Sequence, residues 1–351
     1  MLSSGSAVAE RADGALSAVY GPAAAAGLER GVSSSGPVMR IAVIIASAGR
    51  PEFIRPLVLR LTKQVLLPAR VVVVTPTPHD NPLLDTTTPE AALPDDIGFA
   101  VESVVAKRGL SCQRNAGLDR VLGDCDVVVF FDDDYVPSVG ALQGIVRAFE
   151  ANPGIAGVSG VLLADGINGP GLSLEEAERL IDAHEASGEA GDAEGPDEGP
   201  DEAPRVLRDL SGLYGCNMAV RASAIGEIRF DERLPLYAWQ EDIDFTARVP
   251  GRMARVSGFV GVHCGAKRGR ERSGRKLGYS QIANPAYLAR KGSMRPAVAL
   301  RHSMRNFAAN HLKALLPEPW IDRRGRALGN WIAIADLLRG RMEPERILDL
   351  E

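Results

Sequence analysis

Three consecutive aspartates, Asp132, Asp133 and Asp134, follow directly on Val127-Val128-Val129-Phe130-Phe131. Five β-branched or aromatic residues without polar alternation describe a strand buried on both faces, as in the middle of a parallel sheet. Parallel strands need long crossovers, usually helical, so this run points to an α/β architecture. In open α/β sheets, ligands bind beyond the carboxyl ends of the strands. Three carboxylates gathered there repel one another unless a positive group is shared among them. A hard divalent cation with a phosphorylated ligand suits that need. The plainer alternative is an acidic turn capping the next helix.

The pattern on either side agrees with an α/β sheet. Ile41 to Ala46 reads as a buried strand, Ser47-Ala48-Gly49-Arg50-Pro51 as the loop after it, and Phe53, Leu57, Leu61 and Val65 as one stripe of a helix opened by Pro51. Val71 to Val74 is a second strand, opening into a Pro-rich loop from Thr75 to about Asp96. Val101 to Val105 is a third strand, Cys112 to about Leu122 a helix, Ala141 to Ala151 another helix, and Ile155 to Leu163 a further strand. This order predicts a doubly wound sheet with right-handed crossovers. Residues 1–38, rich in Ala, Gly and Ser, predict a disordered or weakly structured tail, and 186–204 an acidic disordered insertion. Residues 39–291 then form the main domain. Residues 292–351 form a basic extension, with helices over Ala297 to Leu316 and Ala327 to Leu338 joined through Pro317-Glu318-Pro319.

Charge is unevenly spread. Gly251 to Glu351 holds 20 Lys/Arg against 8 Asp/Glu, or +12, so the net charge of −5 leaves −17 on the first 250 residues. A basic final third suits phosphate-rich ligands or an anionic membrane surface. Nucleic acid is disfavoured, because aromatics are few and no nucleic-acid motif accompanies the charge. Four scattered cysteines without a Cys-x-x-Cys pair predict reduced thiols in a cytoplasmic protein. Neither a signal peptide nor a spanning helix is expected.

A second acidic cluster stands in Trp239-Gln240-Glu241-Asp242-Ile243-Asp244-Phe245, with Phe245, Ala247 and Val249 as its packing side. A helix start with acids in its first turn has the same look. The two clusters together, with three further segments in order, carry a resemblance. Ser47 to Pro51, Lys107-Arg108-Gly109-Leu110-Ser111-Cys112-Gln113-Arg114-Asn115-Ala116-Gly117, Asp132-Asp133-Asp134, Gly215-Cys216-Asn217-Met218-Ala219-Val220-Arg221 and Glu241-Asp242 resemble the motifs of the family 2 glycosyltransferases. The resemblance runs from Met39 to about Lys291.

It implies a GT-A fold: a Rossmann-like, mixed, mainly parallel sheet flanked by helices, here with a C-terminal helical extension. It implies an inverting, metal-dependent transfer of a sugar from a nucleoside diphosphate sugar to a hydroxyl acceptor. Mg²⁺ or Mn²⁺ would neutralise the leaving diphosphate. By motif, Asp134 and His263 are the metal ligands, although a lone His at a strand end is equally a structural residue. Ser47, Arg50, Asp80, Arg114, Asn115, Asp132 and Asp133 fall on the donor side, with Arg114 and Asn115 orienting either the diphosphate or the aspartate loop. Asp242 is the expected base, Glu241 positions the acceptor, and Asp244 is the second choice for base. The Gly- and Lys/Arg-rich stretch Gly265 to Lys276 is either a loop closing over the diphosphate or a solvated basic loop.

Two features depart from the family pattern. Where members carry an Asp that reads the base, this chain has Val74-Thr75-Pro76-Thr77-Pro78-His79-Asp80, leaving Asp80 as a displaced substitute. It also lacks the Gln-x-x-Arg-Trp signature of processive synthases, so single-sugar addition is expected, in surface polysaccharide or glycolipid assembly. The acceptor would be a lipid-linked saccharide or another glycan, with peripheral association at the inner face of an anionic membrane. A sugar-nucleotide nucleotidyltransferase, or an inactive glycan-binding or scaffold protein on the same fold, are the alternatives. The first needs a longer Gly-rich loop than Ser47 to Pro51, and the second the loss of an acidic cluster.

Overall fold

The computed structural model describes residues 9–12, 15–20, 39–84, 92–187, 204–267 and 273–350. The strands are β1 (Ala9–Ala12), β2 (Ala15–Tyr20), β3 (Ile41–Ala46), β4 (Arg70–Thr75), β5 (Ala100–Val105), β6 (Val127–Asp132), β7 (Tyr135–Pro137), β8 (Ile155–Asp165), β9 (Val206–Leu210), β10 (Asn217–Arg221) and β11 (Arg252–His263). The helices are α1 (Pro51–Leu61), α2 (Leu110–Val121), α3 (Ala141–Ala151), α4 (Leu174–Ser187), α5 (Ala222–Ile225), α6 (Glu241–Arg248), α7 (Gly274–Lys291), α8 (Pro296–Lys313) and α9 (Arg323–Leu338).

All the described strands join one mixed sheet in the order β1-β2-β5-β4-β3-β6-β10-β8-β11-β7, with β9 also on β11. Its centre, β5-β4-β3-β6, is parallel. β10 runs antiparallel between β6 and β8, so the chain reverses at the strand that ends in the aspartates. Ligands collect at such reversals, where the loops on either side splay apart.

Strand periodicity explains why the central strands carry no polar alternation. Ile41, Val43, Ile45, Val127, Val129 and Phe131 face one way, onto α1 and α3. Ala42, Ile44, Val128 and Phe130 face the other way, onto Leu118 of α2 and Phe245 of α6. With both faces covered, every position is a core position. On the second face, Phe230 stacks on Phe245 at 4.0 Å and meets Phe130 edge-on at 5.3 Å.

The C-terminal helices pack on one another and on the sheet domain. A Cβ on Gly278 of α7 would collide with the Arg326 carbonyl, and one on Gly329 of α9 with the Arg275 carbonyl, so these helices cross backbone to backbone. Asn310 of α8 donates to Gln281 (2.7 Å) and Asn330 (3.1 Å), and Asn330 donates to the Gly278 carbonyl (2.6 Å), which pairs buried amides across three helices. Lys291 at the end of α7 pairs with Asp231 (2.6 Å) and Asp244 (2.8 Å), while Ser293 donates to Asp244 (2.6 Å) and Arg233 pairs with Glu343 (2.9 Å), tying the extension to the segment around α6.

Several local expectations change. Within the N-terminal segment expected to lack regular structure, β1 and β2 form a hairpin whose second strand pairs antiparallel with β5. It occupies an edge that would otherwise leave a row of unpaired backbone groups. The remainder of 1–38, residues 188–203 of the acidic insertion and 268–272 of the basic stretch lie outside the described residues. Val65 is exposed because α1 ends at Leu61. Ala247 is also exposed: on α6, the buried face is Glu241, Asp244 and Phe245 rather than alternate residues.

Candidate functional site

Strand pairing brings distant residues to one point. Antiparallel pairing of β7 with β11 sets His263 opposite Tyr135, one residue past Asp134, and parallel pairing of β8 with β11 sets His263 opposite Asp165. His263 Nε2 lies 3.6 Å from Asp134 Oδ1 and 4.0 Å from Asp132 Oδ2. One ligand-type atom from each of Asp132, Asp134 and His263 falls within 4.8 Å of the others. Asp134 Oδ1 is buried and finds no hydrogen-bond partner among the described residues. A buried carboxylate oxygen in that state is costly unless a cation completes it, so these residues fit a divalent metal ion. The donor set, two carboxylates and an imidazole, suits Mn²⁺ or Mg²⁺.

The rest of the constellation is held by hydrogen bonds. His263 Nδ1 donates to Asp165 Oδ1 at 2.8 Å, which turns Nε2 toward the aspartates. Asp165 also accepts from Tyr214 Oη at 3.1 Å and from the Ile167 amide. Burial acts to lower the His263 pKa, but Cys216, Asp134 and Asp165 more than offset it, and the group sits well above its ordinary value. For Asp134, burial opposes ionisation, yet His263, Arg50 and the Ala266 amide together hold it below the usual carboxylate range.

Asp133 points elsewhere. Its carboxylate accepts from Ser47 Oγ (2.5 Å) and pairs with Arg50 (2.5 Å), and it is 1% exposed. Burial pushes its pKa up, Arg50 opposes and Asp134 adds to the rise. It therefore fixes the loop after β3 and does not border the cavity, because alternate residues beyond a strand face opposite ways. Arg50 reaches Asp134 as well, at 3.2 Å. Gly49, at φ +70°, takes the turn between β3 and α1 that other residues resist, and its amide donates to Asp80 Oδ1 at 2.9 Å. Asp80 thus braces this loop, with Thr77 Oγ1 donating to its other oxygen.

Arg114 joins the two acidic clusters. From α2 it pairs with Asp132 (3.0 Å) and Glu241 (2.7 Å) and donates to the Gly215 carbonyl (2.8 Å). It is itself buried, and its contacts run to the aspartate loop and the second acidic cluster. Asn115 reaches neither: its amide donates to Phe230 O and Glu232, and its carbonyl accepts from the Phe230 amide, all away from the cavity. Asp242 accepts from the amides of Gly215 (2.9 Å) and Ile243 (2.8 Å), and burial raises its pKa. Burial, then Asp242, push Glu241 up to about 8 against the pull of Arg114. Asp244 is spent on Arg248 (2.7 Å), Lys291 (2.8 Å) and Ser293 (2.6 Å), so the second choice for base is a structural junction.

A cavity of about 500 Å³ opens beside these groups, bordered by Ser47, Arg50, Asp132, Asp134 and His263. Arg108, Gln113, Leu236, Tyr237 and Lys276 also border it. Gln113 donates to the carbonyls of Ser47 (2.7 Å) and Val74 (2.9 Å), clamping the first loop to β4. From the basic stretch, the Ala266 amide donates to Asp134 (2.7 Å) and Lys267 to the carbonyls of Gly166 and Ile167. Asp165 and Tyr214 escaped sequence reasoning because they lie in no motif; only strand register brings them to His263.

A cation-binding type of cluster at a sheet reversal, next to a paired acidic cluster and a cavity, is the arrangement of an enzyme that handles an anionic substrate. The family model for glycosyl transferase family 2 matches residues 42–228. The chain belongs to that family and is a glycosyltransferase. Glu241, Asp242 and His263 lie beyond the matched stretch.

Among solved structures, residues 1–349 of TarS from S. aureus in complex with UDP-GlcNAc are 13% identical over 86% of this chain and 93% of that one, with a TM-score of 0.49. A mannosyltransferase from Pyrobaculum calidifontis, PcManGT, in complex with GDP-Man and Mn²⁺, is 16% identical over 86% and 81%, with a TM-score of 0.45. A longer TarS structure is 17% identical over 70% of this chain, which spans only 40% of that protein (TM-score 0.41). No curated protein sequence matches this chain significantly.

Proposed function

We propose that this glycosyltransferase is a metal-dependent, inverting, non-processive enzyme. It transfers a sugar from a nucleoside diphosphate sugar to a hydroxyl of a glycan or lipid-linked saccharide. The observation that carries this reading is Arg114, which ties Asp132 to Glu241 although the two acids lie far apart in sequence. One buried guanidinium thus holds a donor-side acid and an acceptor-side acid in a fixed relation, as a displacement between two substrates requires.

Asp134 and His263, with Asp132 beside them, would hold Mn²⁺ or Mg²⁺. The bound ion supplies Lewis-acid neutralisation of the diphosphate's growing charge. Ser47, Arg50 and Lys276 border the cavity where that diphosphate would lie. Asp242 is the base: it takes the proton of the acceptor hydroxyl while that oxygen forms a bond to the anomeric carbon and the bond to the diphosphate breaks on the opposite face. Its raised pKa supports this role, since a base is best when its pKa approaches the working pH. Glu241, held by Arg114, sets the position of Asp242 and of the acceptor. The four free cysteines are in keeping with work on the cytoplasmic side. We place the activity in surface polysaccharide or glycolipid assembly, with residues 39–291 as the catalytic domain.

The test is thermal-shift screening of the purified protein against nucleotide sugars with and without Mn²⁺, followed by transfer assays with Asp242→Asn. At least one donor should raise Tm only when metal is present, because a ligand that binds only the folded state stabilises it. The variant should keep that shift and lose about 10²–10⁴-fold in transfer rate. A protein that no donor stabilises under any metal condition would sink the reading, and a fully active Asp242→Asn would remove the base.

A further inference from the structure

The exposed side of α8 and α9 carries apolar residues that none of the described residues covers. On α8, Leu300, Met304, Ala308 and Leu312 are exposed at intervals of four, which puts them on one stripe of the helix. Leu312 is 70% exposed, and Leu316, just past the helix end, is 88% exposed. On α9, Leu328, Trp331 and Leu338 are exposed likewise, Trp331 at 54% and Leu338 at 83%. Trp331 lies edge-on to Phe307 and His311 of α8, which joins the two helices on this side. Trp320 and Ile332, by contrast, are partly buried, and Ile332 packs into the core of the extension. Contiguous exposed apolar surface of this kind marks an interaction site.

Charge decides what covers it. Between Pro296 and Arg341 there are eight Lys/Arg and three Asp/Glu. Each acid is engaged within the fold: Glu318 by Lys313 and Arg323, Asp322 by the Gly325 amide, and Asp336 by Arg341 and Arg346. Arg301 and Arg305 run exposed beside the α8 stripe. A second copy docking through the same face would be isologous and would bring two copies of one cationic patch together. An apolar stripe flanked by cations instead matches a bilayer surface, with leucines and Trp331 at the acyl boundary and arginines among anionic headgroups. None of the described helices is long and apolar enough to cross a membrane, so the contact lies in the plane of the interface.

We propose that this face of α8 and α9 docks on an anionic lipid bilayer. This rests on the lipid-linked acceptor proposed above and deepens it by naming a partner surface and the residues that meet it. The same helix reaches the catalytic segment: His302 Nδ1 and Gln240 Nε2 are 3.2 Å apart, and Gln240 immediately precedes Glu241 and Asp242. Asn284 of α7 donates to the Trp239 carbonyl at 2.8 Å. Leu236 and Tyr237, a few residues earlier, border the cavity. Docking therefore sets the acceptor side of the site next to the surface from which a lipid-anchored acceptor would be presented.

The test is co-sedimentation of the full chain with phosphatidylcholine vesicles, with and without phosphatidylglycerol, alongside analytical ultracentrifugation of the free protein. Binding should require phosphatidylglycerol. It should fall about tenfold or more in Leu312→Glu/Leu316→Glu and in Arg301→Glu/Arg305→Glu. Both variants change exposed residues away from the site, so their Tm and any donor-induced thermal shift should match the parent protein. Undiminished vesicle binding in both variants, or equal binding to neutral vesicles, overturns the proposal. So does a parent protein that ignores vesicles but forms a dimer lost in Leu312→Glu/Leu316→Glu. Failure here leaves the donor-dependent shift intact, whereas failure of the transferase reading removes that shift whatever the vesicles show.

Discussion

His263 is held from both sides of its ring, with Nδ1 on Asp165 and Nε2 facing Asp132 and Asp134. A carboxylate behind a ligating histidine fixes its tautomer and orientation, and removing such a partner typically weakens metal binding 10–100-fold. Asp165→Asn should therefore raise the Mn²⁺ dissociation constant by about that factor, read by calorimetry or by the Mn²⁺ resonance signal, while Tm without metal barely moves. Unchanged Mn²⁺ affinity would reduce Asp165 to a structural residue. Glu241 makes a different prediction, in pH. Its pKa is pushed from an ordinary 4.5 up to about 8, chiefly by burial, so the folded state holds its proton more tightly than the unfolded chain. That contribution to stability is complete below about pH 4.5 and is lost as the pH rises through 8. Glu241→Gln, which has no proton to lose, should gain on the parent protein across that window, by about a few kcal/mol. Melting curves at roughly pH 4, 6.5 and 9, below, within and above the window, check this, and a constant difference between the two proteins would refute it.

At the scale of elements, the site is framed by backbone that departs from ordinary geometry. Leu236, Ala238 and Gln240 have φ of 59°, 50° and 73°, left-handed values that L-residues with side chains resist. They succeed one another in the segment leading into α6, and Leu110 on α2 donates its amide to the Leu236 carbonyl at 2.7 Å. This strained turn sets the start of α6, where Glu241 meets Arg114 and Asp242 meets the Gly215 amide; Leu236 and Tyr237 border the cavity and the two acids do not. The α7–α9 contact depends on the absence of side chains at Gly278 and Gly329. Gly278→Val should force the helices apart and cost about 1–3 kcal/mol, the usual range for overpacking. Urea denaturation measures it, and a stability equal to that of the parent protein would show that the crossing yields. Helices α2 and α3 were legible in the sequence to within two residues, with Asn152-Pro153-Gly154 closing α3, whereas α1 began at Pro51 as expected but stopped at Leu61, short of the stripe read to Val65. The span of α7 was not: its start reads as part of a Gly- and Arg-rich loop, and its interior Pro285 argues against a helix.

For the whole molecule, the expected boundary at residue 291 separates composition more than structure. Arg233 pairs with Glu343 and Glu345, Ser293 donates to Asp244, and Asn310 and Asn330 donate to Gln281 and the Gly278 carbonyl of α7, all across that boundary. We expect calorimetry to show one unfolding transition for the full chain, since α9 packs backbone to backbone on α7 and side-chain amides of α8 and α9 bond to it, across residue 291. Two resolved transitions would establish the extension as a separate folding unit. The sequence by itself determined the α/β class, the strand that ends in aspartates, the presence of a second acidic cluster and the family. These follow from burial on both faces of a strand and from short motifs, which are local properties. Only the tertiary structure decided how the three aspartates divide. Asp132 and Asp134 turn to the cavity, while Asp133 is committed to Ser47 and Arg50. It also decided that Arg114 links the two acidic clusters, that Asp165 stands behind His263, and that Asp244 belongs to a structural junction. Such partnerships join residues far apart in the chain, and strand register and helix crossing, which no local pattern encodes, set which of them meet.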